Sequence, residues 1–271
     1  MEYFSEMNNK RISIITATHN SQATLKDTIE SVLNQKCGNI EYIIIDGAST
    51  DSTLEIIESY KESFKNAGID FRYISEPDNG IYDAMNKGIR LATGEWIGIL
   101  NSDDWYHHLA VSELLKIQLK NEFSIISANM NKVDKNGKIL KVLYNKKDLP
   151  KYIKRTMPIN HPATFMNRKV YEEIGNYNCK YRLSADYDLI LRAYNAGVHF
   201  VFLDSIIVNM RNSGATHQIS NIFVTAREDY AIRKAHFING AQFHYFLRVG
   251  FNVLVIIREF YRKLLILLFN S

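Results

Sequence analysis

Short apolar runs alternate with helical spacings through the first hundred positions. Ile12 to Ile15 is a β-branched run that ends in the polar stretch Thr16-Ala17-Thr18-His19-Asn20. Leu25, Ile29, Val32 and Leu33 then recur at the spacing of one helix face. Tyr42 to Ile45 is a second extended run and closes on Asp46-Gly47. Leu54, Ile56, Ile57 and Tyr60 predict a second helix, Phe71 to Ile74 a third strand, Ile81 to Leu91 a third helix and Trp96 to Leu100 a fourth strand. This β-α-β-α-β-α-β order predicts a parallel sheet with right-handed crossovers. In such sheets ligands sit at the carboxyl ends of the strands. The polar clusters fall there: Thr18 and Asn20, Asp46, Glu76 to Gly80, and Asn101 to Asp104.

Beyond Asp104 the pattern becomes mixed. Ser124 to Met130 predicts a strand, and Lys138 to Tyr144 another after an Asn136-Gly137 turn. Thr164-Phe165-Met166 is short and extended. Asp186 to Asn195 predicts a helix closed by Gly197, followed by two short strands, Phe200 to Leu203 and Ile206 to Met210. From Gln242 to Phe269 the chain has no proline, and its longest uncharged run, Val249 to Ile257, falls short of the roughly 20 apolar residues a spanning helix needs. At helical periodicity its Arg248, Asn252, Arg258, Glu259, Arg262 and Lys263 share one arc of roughly 140°. That pattern predicts an amphipathic helix lying in a membrane surface, or packed on the domain or on a second copy. The expected organisation is a domain over 1–240, with a ligand-binding half at 1–104 and an acceptor-side half at 105–240, and a helical tail at 241–271.

Composition narrows the class. Among 271 residues, 46% are hydrophobic and 23% charged, the balance of a chain that buries a core. With 33 basic and 29 acidic residues the formal charge is only +4, and no basic aromatic patch suggests nucleic acid. The two cysteines, Cys37 and Cys179, form no CxxC pair, so a metal ribbon, a redox pair or a disulfide framework is not expected. Met1 to Lys10 is polar and has no apolar segment of the kind a secretory leader carries, which places the expected location in the cytoplasm.

The chemistry concentrates in three stretches. Leu100-Asn101-Ser102-Asp103-Asp104-Trp105 puts two adjacent carboxylates after an apolar strand, where they must face solvent, a cation or a metal, or cap the next helix. Asp46-Gly47-Ala48-Ser49-Thr50-Asp51 offers Asp46 either as a hydrogen-bond acceptor for a base or ribose, or as a turn former. In Glu76 to Gly88, Asp83 and Lys87 lie four residues apart on one helix face. The GxGxxG loop of a dinucleotide oxidoreductase is missing: TATHNSQAT contains no glycine. A nucleotidyltransferase would present a Gly-rich basic loop there, which is also missing.

Six pieces in this order resemble the inverting family 2 glycosyltransferases of the GT-A fold. They are SIITATHN (Ser13 to Asn20), DGASTDST (Asp46 to Thr53), EPDNGIYDAMNKGI (Glu76 to Ile89), ATGEWIGILNSDD (Ala92 to Asp104), HPATFMNRKVYEEIGNYN (His161 to Asn178) and SADYDLILR (Ser184 to Arg192). The EPDNGIYDAMNKG subgroup looks like bacterial enzymes that build capsules, O-antigens and other surface polysaccharides. The resemblance implies an α/β, Rossmann-like, mostly parallel central sheet flanked by helices, with a mixed acceptor-side region and the amphipathic tail.

By the same resemblance, Ala17, Thr18 and His19 line the nucleotide pocket and Asp46 holds the base. Asp83 and Lys87 sit near the nucleotide and its phosphates, and Ser102 belongs to the donor site. Asp103 contacts the ribose and shares with Asp104 the divalent metal, Mn²⁺ or Mg²⁺. His161 heads the stretch that contacts donor sugar or acceptor, and His217 is a further candidate ligand. Asp186 is the implied general base. The chain departs from the family pattern at Asn101, where an Asp is common, and at Ala185, where many relatives have Glu. The implied reaction moves a sugar from a nucleotide-diphosphate donor, UDP favoured, to a lipid-linked or growing glycan at the inner face of the cytoplasmic membrane. A homodimer is compatible with it. The competing reading is a non-catalytic scaffold subunit of a polysaccharide assembly complex, which should have lost Asp104 or Asp186; both are present.

Overall fold

The computed structural model describes residues 10–35, 39–117, 121–212 and 219–236. The expected tail helix, His217 and Cys37 lie outside them. Four parallel-type units open the fold: β1 (Arg11–Thr18), α1 (Leu25–Leu33), β2 (Asn39–Asp46), α2 (Thr53–Ser59), α3 (Lys61–Asn66), β3 (Asp70–Ser75), α4 (Ile81–Leu91) and β4 (Trp96–Ile99). Strands β3, β2, β1 and β4 lie side by side in that order and pair in parallel, as the alternation predicts.

The second half adds β5 (Trp105–Tyr106), α5 (Ala110–Leu115), β6 (Ser124–Val133), β7 (Ile139–Leu143), α6 (Leu149–Tyr152), a 3₁₀ turn at His161–Ala163, β8 (Thr164–Asn167), α7 (Arg168–Ile174), α8 (Ala185–Asn195), β9 (His199–Arg211) and α9 (Ile219–Ala235). The sheet continues from β4 through β8, β6 and β9 to β5, with β7 hanging on β6. Strands β8, β5 and β7 pair antiparallel and β9 parallel, so this half is mixed, as expected.

The pleat divides the core in two. Ile15 and Ala17 of β1 and Ile43 and Ile45 of β2 face Tyr82, Met85 and Ile89 of α4 and the apolar side of α8. Ile12 and Ile14, with Tyr42 and Ile44, face Leu25, Ile29 and Val32 of α1 and Val111 and Leu114 of α5. A sheet covered on both faces needs strands apolar on both sides, which is why β1 and β2 read as continuous runs rather than alternations.

One expectation is corrected. The segments Phe200 to Leu203 and Ile206 to Met210 belong to one strand, β9, which pairs with β6 on both sides of an irregularity at Asp204-Ser205. The register shifts at Asn129, whose side-chain amide donates to Asp204 O at 2.9 Å. The helix expected over Leu54 to Tyr60 is α2, and a further short helix, α3, follows it.

Candidate functional site

The carboxyl ends of β1 and β4, the start of α4 and α8, the 3₁₀ turn and the end of β9 enclose a cavity of about 370 Å³. Ala17, Ser102, Asp103, Asp104, His161 and Asp186 border it, together with Tyr82, Arg182 and Arg211. Asp104 and Asp186 thus meet at one cavity although they come from opposite halves of the chain.

The Asn101 to Asp104 loop is pinned from below by α1. Thr28 Oγ1 donates to Asp104 O at 2.7 Å and Thr24 Oγ1 to Ser102 O at 2.9 Å, while the Ser21 and Ser102 hydroxyls bond at 2.9 Å. Asp104 is 1% exposed. Its Oδ1 accepts from the Arg211 backbone N–H at 3.0 Å and its Oδ2 from Asn101 Nδ2 at 3.0 Å. Burial, then the neighbouring charge of Asp103, pushes the Asp104 carboxyl up to about 8. Burial also raises Asp103. Arg211 donates through its guanidinium to Asp103 O at 2.6 Å, pairs with Asp27, and lies 4.4 Å from the Trp105 ring.

A desolvated carboxylate pair at a cavity wall, each with lone pairs left over, is an oxygen donor set that suits Mg²⁺ or Mn²⁺ shared with a substrate oxyanion. Asp103 and Asp104 therefore fit the metal the resemblance implies. Among the described residues no cluster of three or more His, Cys, Asp or Glu side chains stands ready to hold a metal without substrate.

Across the cavity Asp186 opens α8. Its Oδ1 accepts from Tyr82 Oη at 3.2 Å and from its neighbour's Tyr187 N–H at 2.8 Å. The preceding loop is held by Glu228 of α9, whose carboxylate accepts backbone N–H groups from Arg182 (2.7 Å), Leu183 (2.9 Å) and Ser184 (3.0 Å). His161 Nε2 lies 2.7 Å from Tyr177 Oη, and the Tyr82 and Tyr177 rings stack at 5.3 Å between centroids. Burial lowers the His161 pKa against the opposing pull of Asp186, so its imidazole is neutral.

Other expected residues lie apart from the cavity. Asp46 is fully buried and accepts from Ser49 N–H at 3.0 Å and Ser75 Oγ at 2.6 Å, the turn-forming role. His19 packs its Nδ1 3.0 Å from Gly47 O. Asn20 and Ala48 hold positive φ (50° and 57°), and Asn20 Oδ1 accepts from Thr50 N–H at 2.9 Å, so the loops after β1 and β2 are locked together. Thr18 Oγ1 is buried with no partner among the described residues. Asp83 accepts from Asn79 N–H at 3.0 Å, and Lys87 pairs with Glu76 at 2.8 Å, both at the Glu76 to Gly80 turn. Asp188 is buried on Arg192 at 2.9 Å, a structural pair.

Residues 13–175 match the family Glycosyl transferase family 2, and the chain belongs to that family. It is 33% identical over 190 residues to a PGL/p-HBAD biosynthesis glycosyltransferase of Mycobacterium tuberculosis, covering 68% of this chain and 69% of that protein. It is 28% identical over 223 residues to the chondroitin synthase of Pasteurella multocida, covering 82% of this chain but 22% of the synthase. Among solved structures, S. aureus TarS 1-349 in complex with UDP-GlcNAc superposes with a TM-score of 0.62 at 17% identity, over 82% of this chain and 66% of that one. The mannosyltransferase PcManGT of Pyrobaculum calidifontis, in complex with GDP-Man and Mn2+, gives 0.61 at 14% identity, over 85% and 70%. The chain spans 39% of a longer TarS structure. These likenesses share one architecture, the GT-A fold expected from the sequence.

Proposed function

We propose that this glycosyltransferase moves one sugar from a nucleotide-diphosphate donor to a glycan or lipid-linked acceptor, with inversion at the anomeric carbon. The observation that carries the reading is the convergence of Asp103-Asp104 and Asp186 on one 370 Å³ cavity. In this reading Asp103 and Asp104 mark the donor side and Asp186 the acceptor side. Asp186 accepts the proton of the acceptor hydroxyl as that oxygen attacks the anomeric carbon and the bond to the diphosphate breaks. Tyr82 and the Glu228-held loop keep the carboxylate facing the cavity. Arg211 brings positive charge to the donor side. A divalent cation held by Asp104 and Asp103 would offset charge on the departing diphosphate. UDP is favoured as the nucleotide, in line with the TarS complex with UDP-GlcNAc, and the acceptor belongs to surface-polysaccharide assembly.

No helix among the described residues is long and apolar enough to cross a membrane. We infer peripheral contact with the inner membrane face through 241–271, and a homodimer is compatible with this. The test of the donor site is a thermal-shift screen of UDP, GDP, dTDP and CMP, each with and without Mn²⁺. One nucleotide should raise the midpoint in a metal-dependent way, because ligands of the native state stabilise it by mass action. No shift with any nucleotide would overturn the donor-site reading.

A further inference from the structure

Strand β7 is an edge strand set in a strongly basic stretch of the chain. Between positions 132 and 155 there are nine basic and two acidic residues, so the surplus of this one stretch exceeds the +4 of the whole chain. Lys135, Lys138, Lys141, Lys146 and Lys147 are all exposed. Lys141 stands directly opposite Lys132 in the β6–β7 ladder. Like charges at that position destabilise a sheet. Their proximity also registers as a lowered Lys132 pKa, caused first by burial and then by Lys141. Further along, Lys146 and Lys151 both lie over the Tyr152 ring, at 5.4 and 5.2 Å.

The same hairpin exposes apolar side chains. Ile139 is 56% exposed, Leu140 52% and Tyr144 70%, three of the seven large exposed apolar residues among those described. Lysines on an edge strand commonly block strand addition. That device does not account for Ile139 and Leu140 being left in solvent, nor for lysines continuing past the strand at Lys146 and Lys151, while Lys147 pairs with Asp204 at 2.6 Å. Apolar tips set among cations are the signature of a surface that enters the interface of an anionic bilayer, with Tyr at headgroup level. A soluble polyanion would use the charge but not the tips. A second copy of this chain would bring the same charge against itself.

We propose that the β6–β7 hairpin and the segment through Tyr144 to Lys151 form a docking surface for an anionic lipid bilayer, inserting Ile139 and Leu140 while the lysines engage headgroups. The hairpin is stiff enough for this. Asp134 Oδ1 accepts from Asn136 N–H at 2.8 Å and Lys138 N–H at 2.9 Å, and Gly137 takes φ +82° in the turn. It is also well placed. A Cβ at Gly137 would sit 3.8 Å from the Trp105 indole, whose face carries Arg211, and the Arg211 N–H holds Asp104. Docking through this surface brings the rim of the cavity near the bilayer. The inference does not depend on sugar transfer and is separate from the tail.

The test is sedimentation of the full chain with vesicles of phosphatidylcholine alone or with about a third phosphatidylglycerol. The wild type should partition onto the anionic vesicles in a salt-sensitive way. Lys138→Glu/Lys141→Glu/Lys146→Glu should weaken partitioning by about 100-fold, from the usual increment per basic residue at such a surface. Ile139→Ser/Leu140→Ser should weaken it at least tenfold. Lys141→Glu alone should weaken partitioning while raising the melting temperature in the absence of vesicles, since it replaces a cross-strand repulsion by an attraction; misfolding would move both the same way. Binding by the two multiple variants equal to wild type overturns the proposal, as does a wild type that ignores the anionic lipid. Truncation after Gly240 reads the tail separately: lost binding in that truncation with unchanged binding in the hairpin variants assigns the membrane contact to the tail and overturns the hairpin.

Discussion

The Tyr82 hydroxyl donates to Asp186 Oδ1 at 3.2 Å, joining the first turn of α4 to the first turn of α8 across 104 positions of sequence. The donor is largely buried, and its own pKa is raised well above the usual phenol range, by burial first and by Asp186 next. Such a donor fixes the direction of the carboxylate toward the cavity. Tyr82→Phe should lower kcat about tenfold, from one lost hydrogen bond to a charged group. Nucleotide binding, read by the thermal shift, should stay as in wild type. An unchanged kcat would mean that Tyr82 only packs against Tyr177.

Asp186 and Asp104 should fail in different ways. Asp186→Asn keeps the cavity shape but cannot take a proton, so transfer should fall by 10²-fold or more while the nucleotide-dependent thermal shift persists. Asp104→Asn should abolish the Mn²⁺ dependence of that shift. It should not unfold the protein, since burial already favours the neutral carboxyl and the amide keeps its shape. Single-turnover assays and thermal shifts on the two variants separate the roles. Near-normal turnover in Asp186→Asn would remove it from the chemistry.

The parallel half was legible because its strands are apolar on both faces and its helices show a clean stripe. Ile12 to Ile15 and Tyr42 to Ile45 admit little else. The six family pieces likewise brought Asp103, Asp104, His161 and Asp186 into view. Arg211 was not legible: it reaches Asp104 from 107 positions away, and only a cation at the end of an apolar strand hinted at it. Glu228 was missed because α9 has weak amphipathy and its carboxylate works on backbone groups, which leave no trace in side-chain pattern. Strand β9 was split because Asp204-Ser205 looks like a turn. Only the pairing with β6 before and after it, with a register shift between, shows that one strand continues.

The half-buried imidazole of His161 makes stability depend on pH. Its folded pKa lies below the ordinary value near 6.5, so the unfolded chain binds the extra proton more readily. The His161 contribution is therefore complete above about pH 6.5 and is lost as pH falls through the folded value. Urea unfolding at pH 7.5 and 5.5 should show a smaller loss in His161→Gln than in wild type. An equal loss in both would show that the titration lies elsewhere, with His107, whose pKa burial also lowers, the next to replace.

At the opposite end of the strands, Glu41 is fully buried at the foot of β2 and serves five donors. It accepts from Ser13 Oγ, from Thr93 N–H at 2.7 Å and Thr93 Oγ1 at 2.8 Å, and pairs with Arg11 and Arg72. These contacts tie β1, β2 and β3 to the loop before β4, beneath the strands whose far ends build the cavity. Arg11 and Arg72 are partly exposed and can turn to water when the carboxylate is removed. The fully buried Ser13 hydroxyl has no such route, and a stranded buried donor carries the larger cost. Glu41→Ala should therefore destabilise the fold by about 3 kcal/mol, within the range for breaking a buried ion pair. Because the damage is remote from the cavity, kcat of the folded fraction should stay near that of wild type. Denaturant titration together with active-site-normalised rates checks both halves, and a lowered kcat at full folding would mean that the network also sets the positions of Ala17 and Asp104.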